Sequence, residues 1–423
     1  MEKRQKSLMQ LLLIPLLLVV ILQGFLPFYT LIISGTKQTM EENAVELDQN
    51  IVENRKVVLE GAMVDQWSAI RKERSFLNAI LRDFLAEKNA NMDRFLSSAD
   101  LQEAFTQQAF PELLDYLRRD NTCGVFLILA NDQPILEEGT YTGFFLRDSD
   151  PNTKTETNSD LLLERGSKAL ARQAGVPLDT SWSTGFRFRG SGNRSADDFF
   201  YMPYELALQN PKVDMESLGY WSMPFILEDH QLDNHKMITY SVPLIYDGSV
   251  YGVVGTEISV SYLANGYFST RDLDRNQNAG YTVALKQDNG SYRIITGLGA
   301  LYDVIQRDGE VFTLEDTAYS QLKRVAGSKI GSQRIYCVSS PMNLYSSNVP
   351  YESEDWVLCG FVTEDSIFAL GNQLYRGILI IILFCALVGL VVMVLVARHV
   401  SRPVYQLMDS IKGGISGLHA FKP

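Results

Sequence analysis

The sequence predicts an α+β protein: two tandem antiparallel sheet units carried on a long amino-terminal helix and flanked by two membrane-spanning helices. Three observations predict it. Two apolar runs without charge lie near the ends of the 423-residue chain, a helical-period stretch of about fifty residues follows the first, and short strands bounded by turn signals fill the interval.

The first run, Leu8–Ser34 ("LMQLLLIPLLLVVILQGFLPFYTLIIS"), has no charged residue and exceeds the about 20 apolar residues that cross a hydrocarbon core. It is too long for a cleaved signal and lacks an A-x-A-like site, so residues 8–35 are expected to stay as an anchor. The second run, Gly377–Ala397, gives a second span over 376–397. Lys3, Arg4 and Lys6 precede the first and Arg398 and Arg402 follow the second. That bias puts residues 1–7 and 398–423 in the cytoplasm and 36–375 outside, with Arg376 the one opposing charge.

The short flanks carry +2 and +3, which leaves −17 of the chain's net −12 on the remainder. An acidic exterior disfavours nucleic acid or anionic lipid as its partner, because phosphate binding needs a basic surface. Four cysteines are too few for a disulfide framework. Cys337 and Cys359 either bridge across a hairpin in an oxidising compartment or are two small buried residues.

From Thr36 to Lys88, within a helical segment taken as 36–100, apolar residues recur at helical spacing: Met40, Ala44, Leu47, Ile51, then Val58, Met63, Trp67, Ile70, Leu77, Ile80 and Phe84. Such a rod pairs with a twin chain in a homodimer, or covers the protein's own sheet. A second helix is expected over Ala99–Arg119, followed by strands at "CGVFLILAND" and "YTGFFLRD". "SDLLLERGSKALARQAG" has helical spacing up to Gly175, and residues 181–200 have the composition of a loop. The hairpin 237–263 closes a first unit, 101–268. A polar link leads into a second, 269–368, with strands at "GYTVALKQDNGSYRIITG", "GEVFTLED", "SQRIYCVSS" and "EDWVLCGFVTED" and a helix over Tyr319–Val325. "SIFALGNQLYRG" then runs without a break signal into the second span.

The hairpin holds the candidate site. Asp247-Gly248 is a two-residue turn signal, and a regular ladder from Tyr246 opposite Ser249 pairs Ile238 with Glu257 and Tyr240 with Gly255. Glu257 then shares a face with Ile238, Tyr240, Val242, Tyr251 and Val253. A carboxylate there has a partner, a raised pKa, or a charged ligand beside it. Ligand contact and a structural salt bridge are both open readings.

Other patterns are weaker. "GSGNRS" (190–195) lacks the Lys-Ser/Thr ending of a phosphate loop. "DLDRNQN" (272–278) has Gln277 where a calcium loop needs glycine and Val283 where it needs glutamate. "EDHQLDNH" (228–235), with His230 and His235, reads as a solvated turn before a metal site. No nucleophile arrangement is present in pattern, so neither catalysis, a metal nor a cofactor is expected.

A long helix after the first span, two sheet units, "ITYSVPL…GSVYGVVGTEIS" and "DWVLCGFV" before the second span together resemble the double-Cache family of extracytoplasmic PAS-like sensor modules. "RHVSRPVYQLMDSI" is similar to the start of a HAMP linker, with Pro403 at its proline. The resemblance implies a small ligand in the membrane-distal unit and a shift passed inward through the second span to a kinase, cyclase or chemotaxis output. It also implies that Glu257 stands where the amino-acid-binding branch has an aspartate that meets the ligand's amino group. "FFYMPYELA" supplies Tyr201 and Tyr204 but no arginine, "YWSMPF" supplies Trp221, and Tyr240 lies near. Aromatics around one carboxylate suit an amine or quaternary ammonium, and put a free α-amino acid in doubt unless Arg187 or Arg189 stands in. The rival readings are an anchored binding or scaffold protein without signalling, and an anchored hydrolase.

Overall fold

The computed structural model describes residue 19 and residues 35–419, apart from 121, 133–138, 149, 152, 154, 156, 189–196, 211, 212, 214, 228–235, 269–272, 274–277, 346–348, 352 and 353. Two compact bodies result: one of residues 48–363, and one that joins the chain up to Leu47 with Glu364 onward. The first apolar run lies outside the described residues except Val19, as do the polar cluster 228–235 and the loop 190–195.

Helix α1 spans Thr36–Lys88, as its period predicts. Its buried row departs from the expected one in the first half only: Val45, Val52 and Leu59 are buried, whereas Leu47 and Val58 are each 62% exposed; further on, Met63, Ile70, Leu77 and Phe84 are buried as expected. The reason is on the partner: Gly360 has no side chain, and a Cβ there would lie 2.4 Å from Val52 Cγ2. That vacancy admits Val52 and turns Ile51 and Val58 outward.

Helix α2 (Ala99–Asp120) covers α1 through Phe105 and Phe84, 5.7 Å apart in edge-to-face contact. Between these helices Glu73 is buried and accepts from Arg119 Nη2 at 2.5 Å. Burial pushes its carboxyl up to about 6 from 4.5, Arg119 opposes, and Glu112 adds to the rise. The folded protein therefore holds this proton more tightly than the unfolded chain. The stabilisation is full below pH 4.5 and is lost as pH rises through about 6. Thermal unfolding of Glu73→Gln and the unaltered protein should diverge across that window, with the variant gaining on the parent as pH rises. Asp48, also pushed up to about 6 by burial, cancels in the difference. Parallel curves would remove the assignment.

The first sheet has the order β5-β4-β3-β1-β9-β8-β7. Its strands are β1 (Gly124–Leu129), β3 (Gly143–Asp148), β4 (Leu161–Arg165), β5 (Leu178–Ser183), β7 (Tyr220–Trp221), β8 (Met237–Tyr246) and β9 (Ser249–Ser259); β2 (Gly139–Tyr141) and β6 (Phe186–Phe188) pair separately. All pairs are antiparallel except β4 with β5. The stretch expected to be one helix up to Gly175 is half strand: β4 comes first, and α3 (Lys168–Ala174) follows, ended by Gly175 at φ 67°. Leu161 and Leu163 are buried in the sheet, where pairing with β3 outweighs a weak helical pattern. Helix α4 (Asp198–Gln209) covers one face of this sheet, α1 and α2 the other.

The second sheet is a closed barrel, β10 (Ala279–Lys286), β11 (Ser291–Leu298), β12 (Val311–Asp316), β13 (Leu322–Ile330), β14 (Gln333–Pro341) and β15 (Asp355–Thr363). The helix expected at Tyr319–Val325 is absent. Thr317 Oγ1 closes a turn there with the Tyr319 amide and β13 begins at Leu322, while the helix of this unit is α5 (Ala300–Asp308) between Gly299 and Gly309. Cys337 and Cys359 are free buried thiols, diagonal rather than opposite, since Cys337 faces Phe361 and Ser339 faces Cys359. Helix α6 runs unbroken from Glu364 to His419 and contains Gly371–Val396, the one described helix long and apolar enough to cross a membrane.

Candidate functional site

The β8–β9 turn forms as its residues require, with Asp247 at φ 48° and Gly248 at φ 76°, and Tyr246 faces Ser249. The ladder then departs from regular alternation. Ile245 faces Val250 but Leu244 faces Gly252, so Tyr251 is an extra residue in β9. A bulge of this kind reverses which side chains share a face beyond it. Tyr251 turns to the helices, where its hydroxyl donates to Asn78 Oδ1 at 2.7 Å and its ring meets Phe95 and Phe105.

The consequence corrects the expected face. Glu257 faces Thr239, not Ile238, and Tyr240 faces Thr256. Glu257 thus keeps Val253 as a same-face neighbour but loses Ile238, Tyr240, Val242 and Tyr251. It gains the side of Phe126 and Phe145, which α4 covers: across β1 it stands opposite Gly124, and a Cβ at Gly124 would lie 2.4 Å from Glu257 Oε2 and 3.1 Å from Phe145. Only glycine leaves room for the carboxylate.

Glu257 is buried and meets Arg147. The guanidinium Nε donates to Glu257 Oε2 at 3.0 Å, while its Nη1 lies 2.6 Å from Glu164 Oε1. Burial opposes the Arg147 charge, but the two carboxylates outweigh it and hold its pKa above the ordinary value. Burial, and then the Glu257 charge, push the Cys123 thiol up. One cation is thus held between two acids inside the fold.

Glu164 belongs to a second bulge. Phe145 faces Arg165 and Leu146 faces Leu163, so Glu164 and Arg165 together occupy the space of one residue. Glu164 reaches Arg147. Arg165, 3% exposed, donates from Nη1 to the Glu164 and Ser181 carbonyls at 2.9 Å and lines a partly open cavity. The other walls are Thr140, Ser183, Thr184, Gly185, Phe186, Arg187, Phe188, Asp197, Ile226 and Leu227, around an empty volume of about 620 Å³ that includes solvent at its mouth. Asp197, 8% exposed, sits where α4 begins, its carbonyl accepting from the Phe200 and Tyr201 amides.

Of the residues the sequence singled out, Tyr201 and Tyr204 lie on α4 in the aromatic layer behind this cavity. Phe188 stacks on Phe200 at 4.9 Å, Phe200 on Tyr204 at 5.2 Å, and Tyr201 is 5.8 Å from Phe188. Burial pushes Tyr204 up to about 12 and also raises Tyr141, which a hydrogen bond with Tyr201 partly offsets. Arg187 lines the cavity; Arg189 lies outside the described residues. Trp221 and Tyr240 pair directly across β7–β8, 5.0 Å apart, on the other face from Glu257. They join a seam to the barrel: the Trp221 amide donates to the Tyr345 hydroxyl at 3.0 Å, that hydroxyl donates to Glu354 Oε2 at 3.0 Å, and Tyr220 lies 4.9 Å from Tyr351.

Arg165 and Asp197 were missed in the sequence. Arg165 stood inside a stretch read as helix, and only its bulge aims it into the cavity. Asp197 followed a loop-like run, where the one available signal was an acidic residue just before the apolar period of α4.

No family model matches the chain, and no curated protein matches it. Among solved structures, it is similar to the ligand-binding domain of the Pseudomonas fluorescens chemoreceptor CtaA in complex with L-isoleucine, at 12% identity over 79% of this chain and 98% of that one, with a TM-score of 0.38. It is also similar to the sensory domain of the Campylobacter jejuni chemoreceptor Tlp3 with isoleucine bound, at 12% identity, 77% and 97% coverage and a TM-score of 0.33. A third is the ligand-binding domain of Mlp24 with asparagine, at 11% identity, 80% and 100% coverage and a TM-score of 0.40.

Proposed function

We propose that this chain is a membrane-anchored receptor of the double-Cache kind, whose first sheet unit binds a small zwitterion and passes the resulting shift through α6 to a cytoplasmic output. The observation that carries the reading is the cavity wall, which combines the Arg165 and Arg187 guanidinium groups with the Asp197 carboxylate beside phenylalanines and aliphatics. An arginine fork matches a carboxylate and an aspartate matches an ammonium group. Phe186, Phe188, Ile226 and Leu227 then suit an apolar side chain, as small-ligand sites require.

An amino-acid-like ligand therefore fits better than the simple amine that the sequence favoured. In this reading Glu257 acts one step back. It fixes Arg147, Arg147 fixes Glu164, and Glu164 holds the bulge that presents Arg165. Tyr201 and Tyr204 back the wall. Ile51 and Val58, turned outward on α1, supply a strip for pairing with a second copy. Ligand binding shifts such a dimer only by its differential affinity for two packings.

The test is a thermal-shift and calorimetric screen of the full chain in nanodiscs against amino acids, amines and carboxylates. Removing one partner of a buried charged hydrogen bond costs about 2–5 kcal/mol, so Arg165→Gln and Asp197→Asn should each weaken an amino-acid hit about 30-fold or more. Glu257→Gln should weaken it less. A hit indifferent to both Arg165→Gln and Asp197→Asn would put the ligand elsewhere.

A further inference from the structure

The barrel carries an anion groove that the ligand reading does not use. Strands β13 and β14 end in a two-residue turn, and their last cross-strand pair but one is Lys329 opposite Arg334. Like charges directly opposite in a ladder are destabilising. Both side chains are exposed, and neither has a carboxylate partner among the described residues. The third cation, Arg324, is held by Glu315 on β12, Nε donating at 2.9 Å. Glu315 is the one acid in the groove's lining, so its net charge is +2. Gly327, at φ 79°, bends the bulged segment between Arg324 and Lys329 into a hollow of about 660 Å³, open solvent included, and Ser328 beside it is engaged with Asp308 Oδ2 at 2.6 Å.

The position of the groove says what anion it meets. Thr363, the last residue of β15, faces Ile335, the neighbour of Arg334. Lys329 and Arg334 therefore lie at the end of the barrel where the chain departs into α6. The apolar stretch begins eight residues later, at Gly371, a tether of about 12 Å as helix. We infer that Lys329 and Arg334 form a docking site for the phosphate of anionic phospholipids in the leaflet that anchors the chain. The inference rests on the membrane-anchored reading alone, not on the ligand cavity. The acidic average of the exterior does not oppose it, because at physiological salt a charge acts over about 8 Å.

The test uses the full chain in nanodiscs of phosphatidylcholine alone or mixed with phosphatidylglycerol, read by amide hydrogen exchange over residues 326–336. Each basic side chain at an anionic surface contributes about 1 kcal/mol, so exchange should slow roughly tenfold or more in the anionic discs. High salt should abolish the difference, and so should Lys329→Ser with Arg334→Ser. Equal exchange in both discs would overturn the proposal. So would slowing in phosphatidylcholine discs on adding inorganic phosphate, which would make the groove a site for a soluble anion. Neither result touches the amino-acid screen, so the two readings fail separately.

Discussion

Arg147→Ala should destabilise the protein by about 3–5 kcal/mol, the cost of leaving buried charges without their partner. Glu164 and Glu257 are both 0% exposed and both lie within 3.0 Å of this one guanidinium. Without it, two like charges remain in a water-poor layer between β3, β4 and β9. Urea unfolding at neutral pH checks this. Replacing all three residues by neutral ones of similar size, Arg147→Met with Glu164→Gln and Glu257→Gln, should cost much less than Arg147→Ala alone. A loss below about 1 kcal/mol for Arg147→Ala would mean that water reaches the acids.

Trp221→Ala should cost a similar amount, about 3–5 kcal/mol, and should leave ligand affinity unchanged in the molecules that remain folded. Trp221 is 1% exposed and belongs to a two-residue edge strand held to the sheet at Ser241 and Tyr240. Its ring fills the space beside Tyr240, and its amide ties the first sheet to Tyr345 of the barrel. Truncation loses the ring's burial and loosens this strand. Tyr345→Phe removes only the seam's hydrogen bonds and should cost about 1 kcal/mol. Denaturation midpoints give the stabilities, and calorimetry on the folded fraction gives the affinity. If Trp221→Ala weakened the ligand as strongly as Asp197→Asn does, Trp221 would be a ligand contact, as the family resemblance implied.

Trp221 and Tyr240 show where sequence reasoning stopped. The family resemblance placed Trp221 with Glu257, and alternation from a well-defined turn placed Tyr240 there. The turn was right: Asp247 and Gly248 adopt the positive φ values that their residue types tolerate. One extra residue, Tyr251, reverses everything beyond it. Nothing local announces that bulge. It forms because Tyr251 finds Asn78, Phe95 and Phe105 on helices far away in the chain. The Glu164–Arg165 bulge is the same case, and there the error of reading strand as helix also hid a cavity residue.

Amino-acid order alone determined the elements whose cause is local. The span of α1, the hairpin turns, the strands of the barrel other than β13, the apolar stretch of α6 and its continuity with β15 all follow from period, turn chemistry and composition. Tertiary structure decided which row of the first half of α1 is buried, which faces Glu257 and Tyr240 take, and which charges meet in the cavity. The physical reason is that a side chain's direction in a sheet has a period of two, so a single inserted residue inverts it. Whether a residue is inserted depends on contacts between segments more than a hundred residues apart, such as Tyr251 with Asn78 and Arg147 with Glu257.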